Sequence, residues 1–251
     1  MAEQFYEPGE HRGARVNQLF SRIAPRYDIV NDLQSFGLHR YWKRKAIRLA
    51  RVHPGAVALD VCCGTGDLAF ALARRGARVV GLDFSEAMLR VAEGRKPRPR
   101  SSAATPTPER NNPAFLLGDA QQLAFADNSF EIVTVGYGLR NLPNWETGLK
   151  EMHRVTAPGG RLVVLEFGKP ANPIWRALYF GYLRLFVPLL GLVICRSAGA
   201  YAYILESLQH YPGQTEIAAR MNDLGLVNVQ VTNLLGGAMS IHSAEKAKPT
   251  V

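Results

Sequence analysis

Cysteine is scarce: 251 residues carry three, Cys62, Cys63 and Cys195. An odd, low count excludes a disulfide scaffold and fits a reducing compartment. No C-x-x-C pair and no histidine cluster accompanies them, so the spacing offers no metal site. The opening stretch MAEQFYEPGEHRGAR lacks the apolar core of a secretory signal. A long uncharged apolar run is missing too. The most apolar segment, Ile174 to Cys195, is interrupted by Arg176 and Arg184 and carries Pro188. Its longest uncharged stretch, Leu185 to Cys195, is too short to cross a bilayer. It is expected to form one or two amphipathic helices, buried or lying on a surface, with a break at Pro188. Charge balance is lacking as well, since 30 Lys and Arg face 21 Asp and Glu, a net +9. A basic surface suits nucleic acid, anionic lipid or a phosphorylated ligand, and equally plain solubility. There is no internal repeat.

What is present is an alternation of short apolar runs and helical patterns. VALDVC (57–62), ARVVGLD (77–83), AFLLGD (114–119), FEIVTVGY (130–137) and GGRLVVLEFG (159–168) read as strands. DLAFALARRG (67–76), SEAMLRVAEGR (85–95) and NWETGLKEMHRVT (144–156) read as helices, with Ser85 as an N-cap. Such alternation implies βαβ units and an open, mostly parallel sheet, an α/β fold. A helix at 215–226 and strands at 227–235 and 238–246 then close the sheet with an antiparallel pair. Residues 1–52 read as a basic helical cap and 171–210 as an apolar helical insertion on one domain spanning 1–251. The stretch 96–113, rich in proline, serine and basic residues, reads as a disordered surface insertion.

The stretch LDVCCGTGDLA (59–69) sits where the first strand gives way to the first helix, the place where open α/β sheets bind ligands. Gly64 and Gly66 permit a tight turn and close backbone approach. Ala69 stands where a dinucleotide fingerprint requires its third glycine, so the turn from Asp60 through Gly64, Thr65 and Gly66 suits a ligand without a pyrophosphate. Asp83 ends the second strand, where a carboxylate accepts hydrogen bonds from ribose hydroxyls. Asp119 and Ala120 end the third, where a carboxylate and a backbone N–H can hold an adenine edge. Turn, ribose and adenine positions in order point to an adenosine-type ligand. Cys62 and Cys63 are expected to be small buried residues closing the strand, with Cys63 beside the ligand.

This pattern resembles the class I S-adenosylmethionine-dependent methyltransferases, which implies a Rossmann-like twisted sheet. YDIVNDLQSFGLHRYW (27–42), FADNSFEIVTVGYGLRN (125–141), RVTAPGGRLVVLEFGKP (154–170) and YILES (203–207) resemble the ubiquinone/menaquinone biosynthesis C-methyltransferases, the UbiE/MenG family, over about residues 15–245. Ala157, Gly168 and Gly136 depart from the Lys and two Ser residues usual there. The resemblance implies S-adenosylmethionine as methyl donor and a polyprenylated quinol as substrate, demethylmenaquinol first and a methoxylated benzoquinol as the alternative. It implies a cytoplasmic protein peripherally associated with the inner membrane face, with a homodimer or biosynthetic complex left open. The quinol form is the reactive one, because a ring carbon ortho to a deprotonated phenol is nucleophilic.

Within this resemblance Arg140 either stabilises a phenolate or pairs with a carboxylate, and Asn141 either orients an oxygen or caps a turn. Tyr27 lines the quinol pocket or packs in the core. Glu166 faces the pocket or pairs with Lys169. His39 has the pKa of a base but reads rather as a structural histidine. Trp175, Tyr179, Phe180, Leu185 and Phe186 are expected to line a channel for the tail. A nucleic-acid methyltransferase would need an Asn/Asp-Pro-Pro-Tyr/Phe motif after the fourth strand, where GYGLRN stands, so no nucleic-acid partner is expected. The missing third glycine argues against a nicotinamide dehydrogenase.

Overall fold

A computed structural model describes residues 12–97, 112–195 and 198–249. Most of the insertion expected over 96–113 lies outside the described residues.

The short β-rich runs do form strands: β1 (Val57–Val61), β2 (Arg78–Asp83), β3 (Ala114–Leu117), β4 (Phe130–Gly136), β5 (Thr156–Phe167), β6 (Leu226–Leu234) and β7 (Met239–Lys246). They make one sheet in the order β3-β2-β1-β4-β5-β7-β6. The first five are parallel, and β7 runs antiparallel to both β5 and β6. The order reverses between β1 and β4, which opens a crevice at their carboxyl ends.

Helices cover both faces, because parallel strands are buried on both sides. On one face, α3 (Leu38–Leu49) and α4 (Asp67–Ala73) bring Trp42, Ile47, Leu68 and Leu72 against Val163 and Leu165. On the other, α6 (Trp145–Val155) and α9 (Gln214–Asp223) bring Leu149, Met152, Ile217 and Met221 against Val133 and Val164. The Asn144 side chain caps α6 by accepting from Thr147 N–H at 3.0 Å. Ser85 stands at the N-cap of α5 (Glu86–Gly94), yet its hydroxyl makes no capping bond. The Asp83 carboxylate accepts from Ser85 N–H at 2.9 Å, just ahead of the helix.

A third cluster lies over the crevice. Val16, Leu19 and Ile23 of α1 (Arg12–Ile23) and Val30 of α2 (Tyr27–Gln34) pack with Leu183 and Val187 of α7 (Pro173–Cys195) and Leu208 of α8 (Ala198–His210). The helix expected to break at Pro188 runs on through it. A mid-helix proline costs about 3 kcal/mol. Burying Tyr179, Leu183 and Val187 on one face contributes about 1.5–3 kcal/mol each, which outweighs it.

Candidate active site

The turn after β1 is built from left-handed residues. Cys62 has φ +53°, Gly64 +54° and Gly66 +86°. A Cβ on Gly66 would lie 2.9 Å from the Phe115 ring, so only glycine fits there. A Cβ on Gly64 would meet nothing within 4 Å, leaving its backbone open to a ligand. Asp83, 5% exposed, accepts from Gly64 N–H at 2.8 Å. Burial pushes its carboxyl above the usual range, and three backbone donors hold it back.

Asp60 lies behind the turn. Its oxygens accept from Ala69 N–H at 3.0 Å and from the Thr134 hydroxyl at 2.8 Å, tying β1 to α4 and β4. Burial pushes its carboxyl up to about 7. Thr65 donates its hydroxyl to Asp28 at 2.9 Å, linking the turn to α2. Asp67 opens α4. Burial works against its charge, but Lys43 and Arg95, each 2.6 Å away, hold it far below the carboxylate range.

Two cavities share part of their walls, and the smaller of them lies at this turn. The smaller, about 40 Å³, is walled by Cys62, Gly64, Asp83, Gly136, Gly138 and Asn141, among others. The larger, about 410 Å³, lies between α2, α3, α7 and α8 and is walled mainly by apolar and aromatic side chains. Phe20, Tyr27 and Tyr137 line both. Gly64, Asp83, Tyr27 and Asn141 thus converge, whereas Asp60, Thr65 and Gly66 brace the turn from outside the walls. Asp119 and Ala120 are not brought to either cavity. Asp119 is exposed and its carboxylate accepts from Gln121 N–H at 2.8 Å, while Ala120 packs in the core. Cys62, not Cys63, faces the small cavity, since the left-handed turn at Cys62 rotates the pair. Cys63 Sγ instead lies against β2, 3.1 Å from the Cβ position of Gly81.

Arg140 follows β4 in a 3-10 turn and is 6% exposed. It donates to Glu166 Oε1 at 2.5 Å and to the Tyr137 carbonyl at 2.8 Å, and stacks 4.5 Å over the Phe167 ring. Glu166 is therefore partnered by Arg140, and Lys169 donates to the Gln209 carbonyl instead. The carboxylate pairing foreseen for Arg140 is present, and the residue still lines the large cavity. Asn141 donates to the Tyr137 carbonyl at 3.0 Å, while its buried Oδ1 makes no hydrogen bond. Burial pushes the Tyr27 phenol up to about 12 and the Tyr137 phenol well above its usual value.

Tyr137 is the residue sequence reasoning missed. Its φ of +61° is rare for a non-glycine, and its buried hydroxyl makes no hydrogen bond. The signal was its place inside GYGLRN. Of the channel residues expected, Trp175 and Tyr179 line the large cavity, but Phe180, Leu185 and Phe186 do not. The helical period turns Leu185 and Phe186 outward and Tyr182, Leu183 and Val187 inward, while the exposed Leu178 lies at the cavity rim. A serine in place of Gly168 would drive its Cβ within 2.3 Å of the Gly237 carbonyl, and one at Gly136 within 2.8 Å of Leu68, so both departures match their local packing.

The demethylmenaquinone methyltransferase of Geobacillus kaustophilus is 41% identical over 235 residues, covering 92% of this chain and 97% of that protein. That of Halalkalibacterium halodurans is 40% identical over 241 residues, 94% of each. Among solved structures, a SAM-dependent methyltransferase from Thermotoga maritima matches in fold, with TM-score 0.60 and 17% identity over 91% of this chain and 99% of that one. The model of the ubiE/COQ5 methyltransferase family matches residues 9–246, and it is to this family that the chain belongs.

Proposed function

We propose that this protein methylates a ring carbon of demethylmenaquinol, with S-adenosylmethionine as methyl donor. The observation that carries the reading is the junction of a small cavity, into which the Asp83 carboxylate and the Asn141 amide are set, with a large apolar one at Phe20, Tyr27 and Tyr137, beside Arg140. S-adenosylmethionine supplies a methyl group made electrophilic by its sulfonium. The residues fit it: the open backbone at Gly64, the buried carboxylate of Asp83 and the unpartnered Oδ1 of Asn141 share one wall. Gly64, Thr65 and Gly66 form the turn for its methionine end, with Asp60 bracing them. Asp83 takes the ribose, and the adenine edge extends past the small cavity to the end of β3, where the exposed Asp119 carboxylate and the Ala120 N–H are assigned to it.

The large cavity takes the quinol ring and the first part of its tail. Its walls are mainly apolar, and a bound ring displaces water from them, which strengthens every charge interaction inside. Tyr27, held protonated at neutral pH, donates to a developing phenolate, and the Arg140 cation stabilises it. Arg140 is no base, since its proton never leaves near neutral pH. Phe36, Leu178 and Leu235 line the cavity and are also exposed, so it opens to the surface there.

On α2 and α7, which wall this cavity, Ile29, Leu33, Leu185, Leu189 and Leu192 are exposed, with the exposed Arg176 and Arg184 on α7 and Arg40 and Arg44 on the adjoining α3. No described helix is long and apolar enough to cross a membrane. This face rests on an anionic bilayer surface, from which the prenyl tail enters. Radiolabelled methyl transfer is the test, with reduced demethylmenaquinone and the demethylated benzoquinol analogue offered in parallel. Label is expected in the naphthoquinol. Label in neither, with S-adenosylmethionine bound, refutes the reading, and label in the benzoquinol alone changes the ring.

A further inference from the structure

Replacing a ring C–H by C–CH3 with a methyl cation equivalent frees one proton per turnover. That proton starts on a quinol in a cavity walled mainly by apolar groups. Few wall residues can accept it. Burial raises the phenols of Tyr27, Tyr137, Tyr179 and Tyr182, so all stay protonated. Arg140 is a permanent cation. His39 is the imidazole among the described wall residues, and Ser35 stands beside it on the same wall.

We propose that Ser35, His39 and Asp32 form a proton path from the quinol hydroxyl to the protein surface. The proposal rests on the reading of the large cavity as the quinol site. Ser35 Oγ lies 2.8 Å from His39 Nδ1, and His39 Nε2 lies 3.6 Å from Asp32 Oδ1. The joint between α2 and α3 creates this alignment. Gly37, with φ +74°, turns the chain so that Ser35 Oγ also accepts from His39 N–H at 3.3 Å. Ser35 and His39 are 9% and 6% exposed, whereas the Asp32 side chain is 33% exposed and pairs with Arg40 at the surface. The row therefore leads from the cavity wall outward.

The balance is simple. The quinol O–H breaks as its proton passes to Ser35 Oγ. With His39 in its Nε2–H tautomer, the Ser35 hydroxyl turns from the Asn31 carbonyl, 2.6 Å away, to His39 Nδ1 and passes its proton there as it takes the quinol proton. The imidazolium gives its Nε2 proton to water beside Asp32, whose carboxylate, kept ionised by Arg40, favours the imidazolium and draws the proton outward. The charged groups facing His39 are Asp32 from α2, Arg40 and Lys43 from α3, and Asp67 from α4. Burial and Lys43 lower its pKa below 6.5, while the two carboxylates oppose them. His39 is thus a neutral acceptor at physiological pH.

The test uses the full chain, S-adenosylmethionine and reduced substrate. His39→Gln should lower kcat by about 10²-fold or more, with KM and cofactor affinity close to wild type. Its acid limb in the pH–rate profile should vanish, and the rate should climb with pH as the free phenolate becomes populated. Ser35→Ala should behave alike, and Ser35→Thr, which keeps the hydroxyl, should restore most of the rate. A readout without turnover is the nitrogen-15 histidine NMR titration of the protein alone, in which Asp32→Asn should lower the His39 midpoint. A His39→Gln enzyme with kcat within about twofold of wild type, or with its acid limb intact, overturns the path. So does a His39 midpoint unmoved by Asp32→Asn. Wild-type protein that labels no quinol refutes the functional reading itself, and the path with it.

Discussion

Arg140→Ala would strand the Glu166 carboxylate at a site with no solvent exposure. Breaking one side of a buried ion pair costs about 3–5 kcal/mol. Two backbone donors would remain on Glu166, Phe167 N–H at 2.9 Å and Arg140 N–H at 3.3 Å. They place the expected cost near the lower end, about 3 kcal/mol. Each kcal/mol moves the melting temperature of a domain this size by about 2–4 °C, so a fall of roughly 6–12 °C follows. Glu166→Gln in the same chain removes the stranded charge and should recover most of that loss, so the two substitutions are strongly non-additive. Circular-dichroism melts of both single variants and the double variant measure this. A melting temperature for Arg140→Ala within about 2 °C of wild type, or additive effects, refutes the desolvated pair. The recovered double variant then separates fold from chemistry. It should bind S-adenosylmethionine near normally and methylate slowly, because the cavity has lost its cation.

Asp60, at about 7 in the folded chain and about 3.9 unfolded, takes up a proton on folding across that window. Its sign is destabilising as pH rises from about 4 to about 7, by up to about 4 kcal/mol, and flat above. Asp60→Asn should flatten that slope, as urea midpoints at several pH values would show. Gly64→Val fills the open space above the turn and forces a branched residue into the left-handed region, so calorimetry should detect no S-adenosylmethionine binding to a folded protein. Cys62→Ala with Cys63→Ala should leave methyl transfer largely intact. Burial raises both thiols well above their usual pKa, so iodoacetamide should modify them slowly until the protein unfolds.

The strand runs and their punctuation were legible because local periodicity and turn chemistry act over a few residues. ARVVGLD and FEIVTVGY are apolar stretches of strand length closed by Asp83 and by Gly136, VALDVC runs into the glycine-rich CGTG, and each became a parallel strand. The turn after β1 was legible for the same reason, since Gly64 and Gly66 answer a local backbone demand. Pro188 misled, because local propensity says break and packing across α7 says continue. Which members of the motifs meet was not legible. Asp60 and Asp83 both end strands, yet Asp60 spends its oxygens on Ala69 and Thr134 behind the turn while Asp83 faces the cavity.

The sequence by itself determined the α/β alternation, the left-handed turn after β1 and the family motifs, all set by residues near one another in the chain. Only the tertiary structure decided that Arg140 pairs with Glu166 from β5, that Tyr137 joins the two cavities, and that the joint between α2 and α3 sets Ser35, His39 and Asp32 in a row. Those outcomes depend on which elements share a wall and on the rotation each side chain takes there. Contacts across many residues set both, and no spacing in the chain records them.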